Sequence, residues 1–82
     1  MTLNKIQQEM DREEIVYFRR PAGPRKNAYI TDMYWGFKNK KRVTMGDGIF
    51  SDINRKRRYF DTLEEAVKYL EENGYIYENP WK

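Results

Sequence analysis

Tyr59-Phe60-Asp61-Thr62-Leu63-Glu64-Glu65-Ala66-Val67-Lys68-Tyr69-Leu70-Glu71-Glu72-Asn73-Gly74 is the stretch around which the chain is organised. Thr62 followed by Glu65 makes a capping box, in which the hydroxyl accepts an orphan backbone N–H and the carboxylate reaches back to the cap. Asp61, Glu64 and Glu65 place negative charge at the positive end of the helix dipole. Leu63, Ala66, Val67 and Leu70 recur at i, i+3, i+4 and i+7, which makes one apolar stripe. Gly74 after Asn73 supplies a left-handed stop. The spacing therefore predicts a helix of two to three turns with one apolar and one acidic face. So short a helix is marginal alone and needs a surface to lie on. The segment 14–60, ahead of it, reads as the sheet that supplies one.

Within that segment, Ile15-Val16-Tyr17-Phe18-Arg19 is a β-branched and aromatic run and predicts a strand. Pro21-Ala22-Gly23-Pro24 ends it, because two prolines around a glycine cannot continue a ladder. Ala28 to Phe37 is the longest strand candidate. Its parity set Tyr29, Thr31, Met33, Trp35 and Phe37 is the more apolar and is expected to face the helix. Tyr34 is then left on the open face with Ile30. Lys38-Asn39-Lys40-Lys41 forms a basic hairpin tip. Arg42-Val43-Thr44-Met45 returns as a strand, with Val43 and Met45 inward and Arg42 and Thr44 outward. Gly46-Asp47-Gly48 reads as a tight turn. Ile49 to Ile53 is either a short strand or loop. After a turn at Asn54-Arg55-Lys56, Arg57 to Phe60 is the last strand before the helix. Alternation puts Arg58 with Phe60, and Arg57 with Tyr59 on the other side.

At the N-terminus, Thr2 to Glu14 predicts a helix with Leu3, Ile6, Gln7 and Met10 on one face, capped by Thr2 or, as the better box, by Asn4 with Gln7. It either packs on the sheet or stands off as an arm. Beyond Gly74, Tyr75-Ile76-Tyr77 either adds an edge strand or wraps over the helix. The expected architecture is one α+β domain over residues 1–82: a small antiparallel sheet of three to four strands (14–60), packed on one face by the C-terminal helix (61–73). A short N-terminal helix (1–13) precedes it and a tail or edge strand (74–82) follows.

The 82 residues include no cysteine and no histidine. Disulfides and thiolate metal sites are thereby excluded, and the commonest general base and zinc ligand are missing. No catalytic constellation or cofactor site can be named, Asp47 and Asp52 are only a weak signal for magnesium, and a non-enzymatic protein with no metal is expected. No apolar run approaches a membrane span, so no membrane association and a cytoplasmic location are expected. Aromatic residues make up 16% of the chain. They can fill a small core, stack on bases or anchor an interface.

The net charge of +3 conceals a segregation. Arg19 to Arg58 holds twelve basic and three acidic residues, a net of +9, while the two ends hold four basic and ten acidic residues, a net of −6. Such asymmetry points to an anionic partner. Two clusters carry it, Lys38, Lys40, Lys41 and Arg42 beside Trp35 and Phe37, and Arg55, Lys56, Arg57 and Arg58 beside Tyr59 and Phe60. Strand pairing is expected to gather Tyr34, Arg42, Thr44, Arg57 and Tyr59 on the face away from the helix. Guanidinium groups there can grip phosphates or guanine edges, and tyrosines can stack on unpaired bases. The candidate contact set is Tyr34, Lys38, Lys40, Lys41, Arg42, Thr44, Arg55, Lys56, Arg57 and Tyr59. The expected partner is nucleic acid, DNA ahead of RNA. The alternative is an acidic protein surface, met by an interaction module of the phage-type or accessory-inhibitor kind. Arg19, Arg20, Arg25 and Lys26 either extend the patch or bridge to the acidic helices. The chain is expected as a monomer, or as a homodimer joined through Tyr75-Ile76-Tyr77.

Arg55-Lys56-Arg57-Arg58-Tyr59-Phe60-Asp61-Thr62-Leu63-Glu64-Glu65-Ala66 resembles the last strand and helix start of AP2-type domains and of the arm-binding domains of tyrosine integrases. Those families lay a three-stranded antiparallel sheet, backed by one helix, in the DNA major groove. The resemblance implies that Arg42, Arg57 and Tyr59 approach DNA. Phe60-Asp61-Thr62 through Gly74-Tyr75 is also similar to the end of a small NADH-dehydrogenase accessory subunit family, which does not read DNA. The Gly46–Asn54 stretch and the N-terminal helix depart from the AP2 pattern.

Overall fold

The structure, a computed structural model, describes residues 3–32, 40–48 and 52–78. Its elements in chain order are α1 (Leu3–Glu13), β1 (Ile15–Arg19), β2 (Asn27–Asp32), β3 (Lys41–Gly46), β4 (Lys56–Phe60), α2 (Leu63–Glu72) and β5 (Ile76–Tyr77). The five strands form one antiparallel sheet in the order β4-β3-β2-β1-β5. Both helices lie on the same face of it, which makes the α+β two-layer domain the sequence leads one to expect. No helix among the described residues is long and apolar enough to cross a membrane.

α2 forms as its sequence dictates. Thr62 Oγ1 accepts the Glu65 N–H at 3.1 Å, so the hydroxyl half of the capping box is in place. Leu63, Ala66, Val67 and Leu70 are buried, while Glu64, Glu65, Glu71 and Glu72 are exposed. Gly74 has φ +87°. Its N–H donates to Glu71 O at 3.1 Å and the Tyr75 N–H to Leu70 O at 2.9 Å, the two bonds of a Schellman stop. Tyr75 and Leu70, the residues such a stop brings into apolar contact, are both buried. A Cβ at Gly74 would meet nothing within 4 Å. Gly74→Ala therefore carries a conformational cost and no steric one, and should lower unfolding stability by about 1 kcal/mol in urea titration.

The chain then crosses the sheet. β4 is one edge and β5 the other, so α2 spans the layer between them and Tyr77 pairs with Phe18, Ile76 with Arg19. Residues 75–77 thus take the edge-strand alternative, and the sheet has five strands where three to four were expected.

α1 begins at Leu3, which puts Asn4 inside its first turn and overturns the expected cap at Asn4. Ile6 and Met10 are buried against the sheet; Gln7 is exposed and donates to Asp11 Oδ1 at 2.9 Å, so Gln7 is not part of the packed face. Glu9 takes that place. It is buried, accepts the Tyr77 hydroxyl at 2.5 Å on Oε2 and has Arg12 Nη2 at 3.8 Å from Oε1. This polar tie joins α1 to β5. Burial first, then the hydrogen bond and the Glu9 charge, push the Tyr77 hydroxyl from its ordinary 10.0 up to about 12, with Arg12 acting the other way. Burial also raises Tyr75, with the Arg20 charge opposing it. The fold favours the protonated phenol, so the stability it contributes is whole below about pH 10 and drains away as pH rises toward 12. Melting temperatures across that window should fall, and Tyr77→Phe should shallow the fall, Tyr75 retaining its own share.

The sheet's faces are set by register. Val16 opposes Ile30, which opposes Val43; Phe18 opposes Ala28, which opposes Met45. All six are buried with the helices in one core. Ala28 and Ile30 therefore face the helices, and Tyr29 and Thr31 face away. This reverses the parity expected for the second strand. The apolar count that favoured the other set came mostly from Met33, Trp35 and Phe37, which follow the end of β2 at Asp32 and lie outside the described residues. The small side chain of Ala28 between Phe18 and Met45 also leaves both large neighbours room, a fit that counting apolar residues cannot register. Residues 49–51 likewise lie outside the described set, and Asp52 and Ile53 are in no strand.

Candidate nucleic-acid interface

Two cross-strand rows of the helix-free face carry the candidate residues. One runs Tyr17, Tyr29, Thr44, Arg57 from β1 to β4; the other runs Ile15, Thr31, Arg42, Tyr59. Arg42, Thr44, Arg57 and Tyr59 do come together on the face away from the helices, as strand alternation requires. Tyr17 and Tyr29 join them, with ring centroids 6.2 Å apart and planes tilted by 56°. Neither was in the expected contact set. Tyr29 was missed through the inverted parity. Tyr17 was findable, because Val16 and Phe18 on its flanks are the better core residues.

Exposure grades along these rows. Tyr17, Tyr29, Thr31 and Arg42 are half-buried, Arg57 is exposed, and Tyr59 is 52% exposed. Thr44 is the exception to its expected outward exposure: it lies in the open-face row yet is fully buried. Three polar atoms of this face, Thr31 Oγ1, Arg42 Nε and Thr44 Oγ1, are buried without a hydrogen-bond partner among the described residues.

The two basic clusters differ. In the first, Lys40 Nζ bonds Asp61 Oδ1 and Lys41 Nζ bonds Asp32 Oδ1. Lys41 is paired in register with Phe60 and Asp32, which puts it on the helix side, so neither lysine is a free cation of the open face. Tyr34 and Lys38 lie outside the described residues. The second cluster has no neutralising partner among the described residues. Arg55, Lys56, Arg57 and Arg58 are all exposed, and none forms a side-chain hydrogen bond or ion pair among the described residues. Lys56 and Arg58 share the helix-side parity but extend past Met45 and Val43 at the sheet edge, where nothing buries them.

The arginines around the proline loop belong to the scaffold. Arg20 Nη1 donates to Asn73 O at 3.0 Å, its Nε donates to Pro24 O at 3.1 Å, and its guanidinium lies 4.5 Å from the Tyr75 ring centroid. Arg25 donates from its N–H to Asp47 Oδ1 at 2.6 Å and from Nε to Asn54 O at 3.0 Å. Asn54 Nδ2 closes the set on Asp47 Oδ2 at 3.3 Å. Asp47 thus ties Arg25 to Asn54, which gives it a structural use. Arg19 reaches Glu78 at 3.9 Å, a weak surface pair. Of the four basic residues near this loop, Lys26 is the one left exposed and unpaired among the described residues.

The strand positions of the open face include no acidic residue; the sole acid within a strand, Asp32, is on the helix side. Arginine, tyrosine and threonine without carboxylates can hold an anion, stack on a flat ring and donate or accept at a hydroxyl. Comparison with protein-family models, curated proteins and solved structures found no match to this chain.

Proposed function

We propose that this chain is a small non-enzymatic binding domain that docks β4 and the adjoining open face on nucleic acid, with DNA the first polymer to try. The observation that carries the reading is the run Arg55-Lys56-Arg57-Arg58, four successive exposed cations with no acidic partner among the described residues. Elsewhere the fold neutralises its cations locally, at Lys40, Lys41, Arg12 and Arg19. Leaving these four together raises the local potential and suits a polyanion. The similarity of 55–66 to AP2-type and integrase arm-binding domains supports the same reading, although five strands and α1 go beyond their three strands and one helix.

A gel shift over a salt series, with DNA and RNA side by side, tests it. Four to six phosphate contacts should give a log–log slope of roughly −3 to −5, or about two orders of magnitude in affinity between ~50 and ~200 mM salt. No complex with either polymer at the low end would end the reading.

One observation favours a protein partner instead. β4 is an edge strand, so one side of its backbone ladder is unpaired, and an acidic extended segment could add to it. The phage-type or accessory-inhibitor role would use that edge. A pull-down with and without nuclease separates the two: nuclease-resistant recovery of one stoichiometric protein favours the second.

A further inference from the structure

We infer that the open face is a stacking platform for single-stranded nucleic acid rather than a duplex reader, with Tyr29 and Tyr17 taking base faces and Arg42 and Arg57 taking phosphates. The inference rests on the reading just proposed and names the form of the polymer.

Its ground is the placement of the rings. Tyr17 and Tyr29 are neighbours across β1 and β2 in the middle of the helix-free face. Arg57 ends the same row on β4, two strands from Tyr29 and so about 10 Å away. Arg42 flanks the row from the adjacent one. Aromatic rings in the centre with cations toward one edge form the pattern that holds an unpaired base on a π-face while its backbone lies along the positive side. In a duplex the base faces are stacked on each other, and a protein meets only base edges and phosphates. Tyr17 and Tyr29, half-buried in the sheet, are poorly placed to reach base edges.

Charge on the same face points the same way. No described strand position on it is acidic.

The test is fluorescence anisotropy with the full chain, using a labelled oligothymidylate of roughly 15 nucleotides and a duplex of equal length at one salt concentration. The single strand should bind at least about ten-fold tighter. Tyr29→Leu should weaken it about ten-fold with the salt slope unchanged, because a stacking ring is lost and no cation is; Tyr29→Phe should bind as the parent does. Tyr17→Leu is the second variant should Tyr29→Leu fail to fold, and should weaken the single strand in the same way. Duplex binding equal to or tighter than the single strand overturns the inference, as does identical binding by the Leu and Phe variants. In either case the nucleic-acid reading stands. If neither oligonucleotide binds while an acidic peptide does, both fall.

Discussion

Exchanging both Arg57 and Arg58 for glutamate is expected to weaken nucleic-acid binding by about 100-fold or more at ~100 mM salt, and to flatten the salt dependence by roughly two units of slope. The two side chains leave β4 on opposite sides, Arg57 in the open-face row and Arg58 at the exposed rim beyond Val43. Both are exposed and neither is paired among the described residues, so the change removes two cations and adds two anions without breaking a contact of the fold. The melting temperature should therefore stay within a few degrees of the parent's, since surface changes of this kind cost less than about 0.5 kcal/mol. Neutral Arg57→Gln with Arg58→Gln should fall between the two in affinity. Retention of full affinity by the glutamate variant would show that β4 is not the contact.

Arg20→Ala should do the opposite, lowering stability while sparing the binding surface. The guanidinium caps the C-terminal end of α2 at Asn73 O, grips Pro24 O and lies over Tyr75. A cation at a helix C-terminus contributes about 0.3–1 kcal/mol, and a cation over an aromatic ring at a partly exposed site about as much. With the loss of the charged hydrogen bonds, the total is about 2 kcal/mol. For a chain of 82 residues this lowers the melting temperature by about 10 °C. Arg20→Lys should recover less than half, because an ammonium cannot both fork onto two carbonyls and lie flat on a ring. Below its melting point the Ala variant should bind nucleic acid as the parent does. A binding loss matching that of the Arg57 and Arg58 changes would place Arg20 in the contact surface instead.

Arg20 and Arg57 illustrate how far residue type alone can be read. Both are arginines in the +9 segment and both adjoin aromatics. One is a clamp between the proline loop and a helix end 53 residues away in sequence; the other is a cation with no ion pair among the described residues. Nothing local distinguishes them, since the difference depends on which distant carbonyl or carboxylate arrives beside each. The same holds for Lys40 and Lys41, which carry as much charge on paper as Lys56 but meet Asp61 and Asp32 in space.

What the chain's own residue order determined is what depends on neighbours within one turn or one strand. Thr62, the apolar stripe of α2 and Gly74 mark where the helix starts, which face it buries and where it stops, and alternation in Arg42–Met45 and Arg57–Phe60 assigns their sides, because capping, dipole and pleat act over a few residues. The tertiary structure alone decided the rest. It turned Ala28 and Ile30 inward and Tyr29 outward, because the side that β2 buries is chosen by the register it shares with Val16, Phe18, Val43 and Met45. It added β5 and buried Glu9 against Tyr77. These are long-range pairings, whose partners lie too far along the chain for any local pattern to specify.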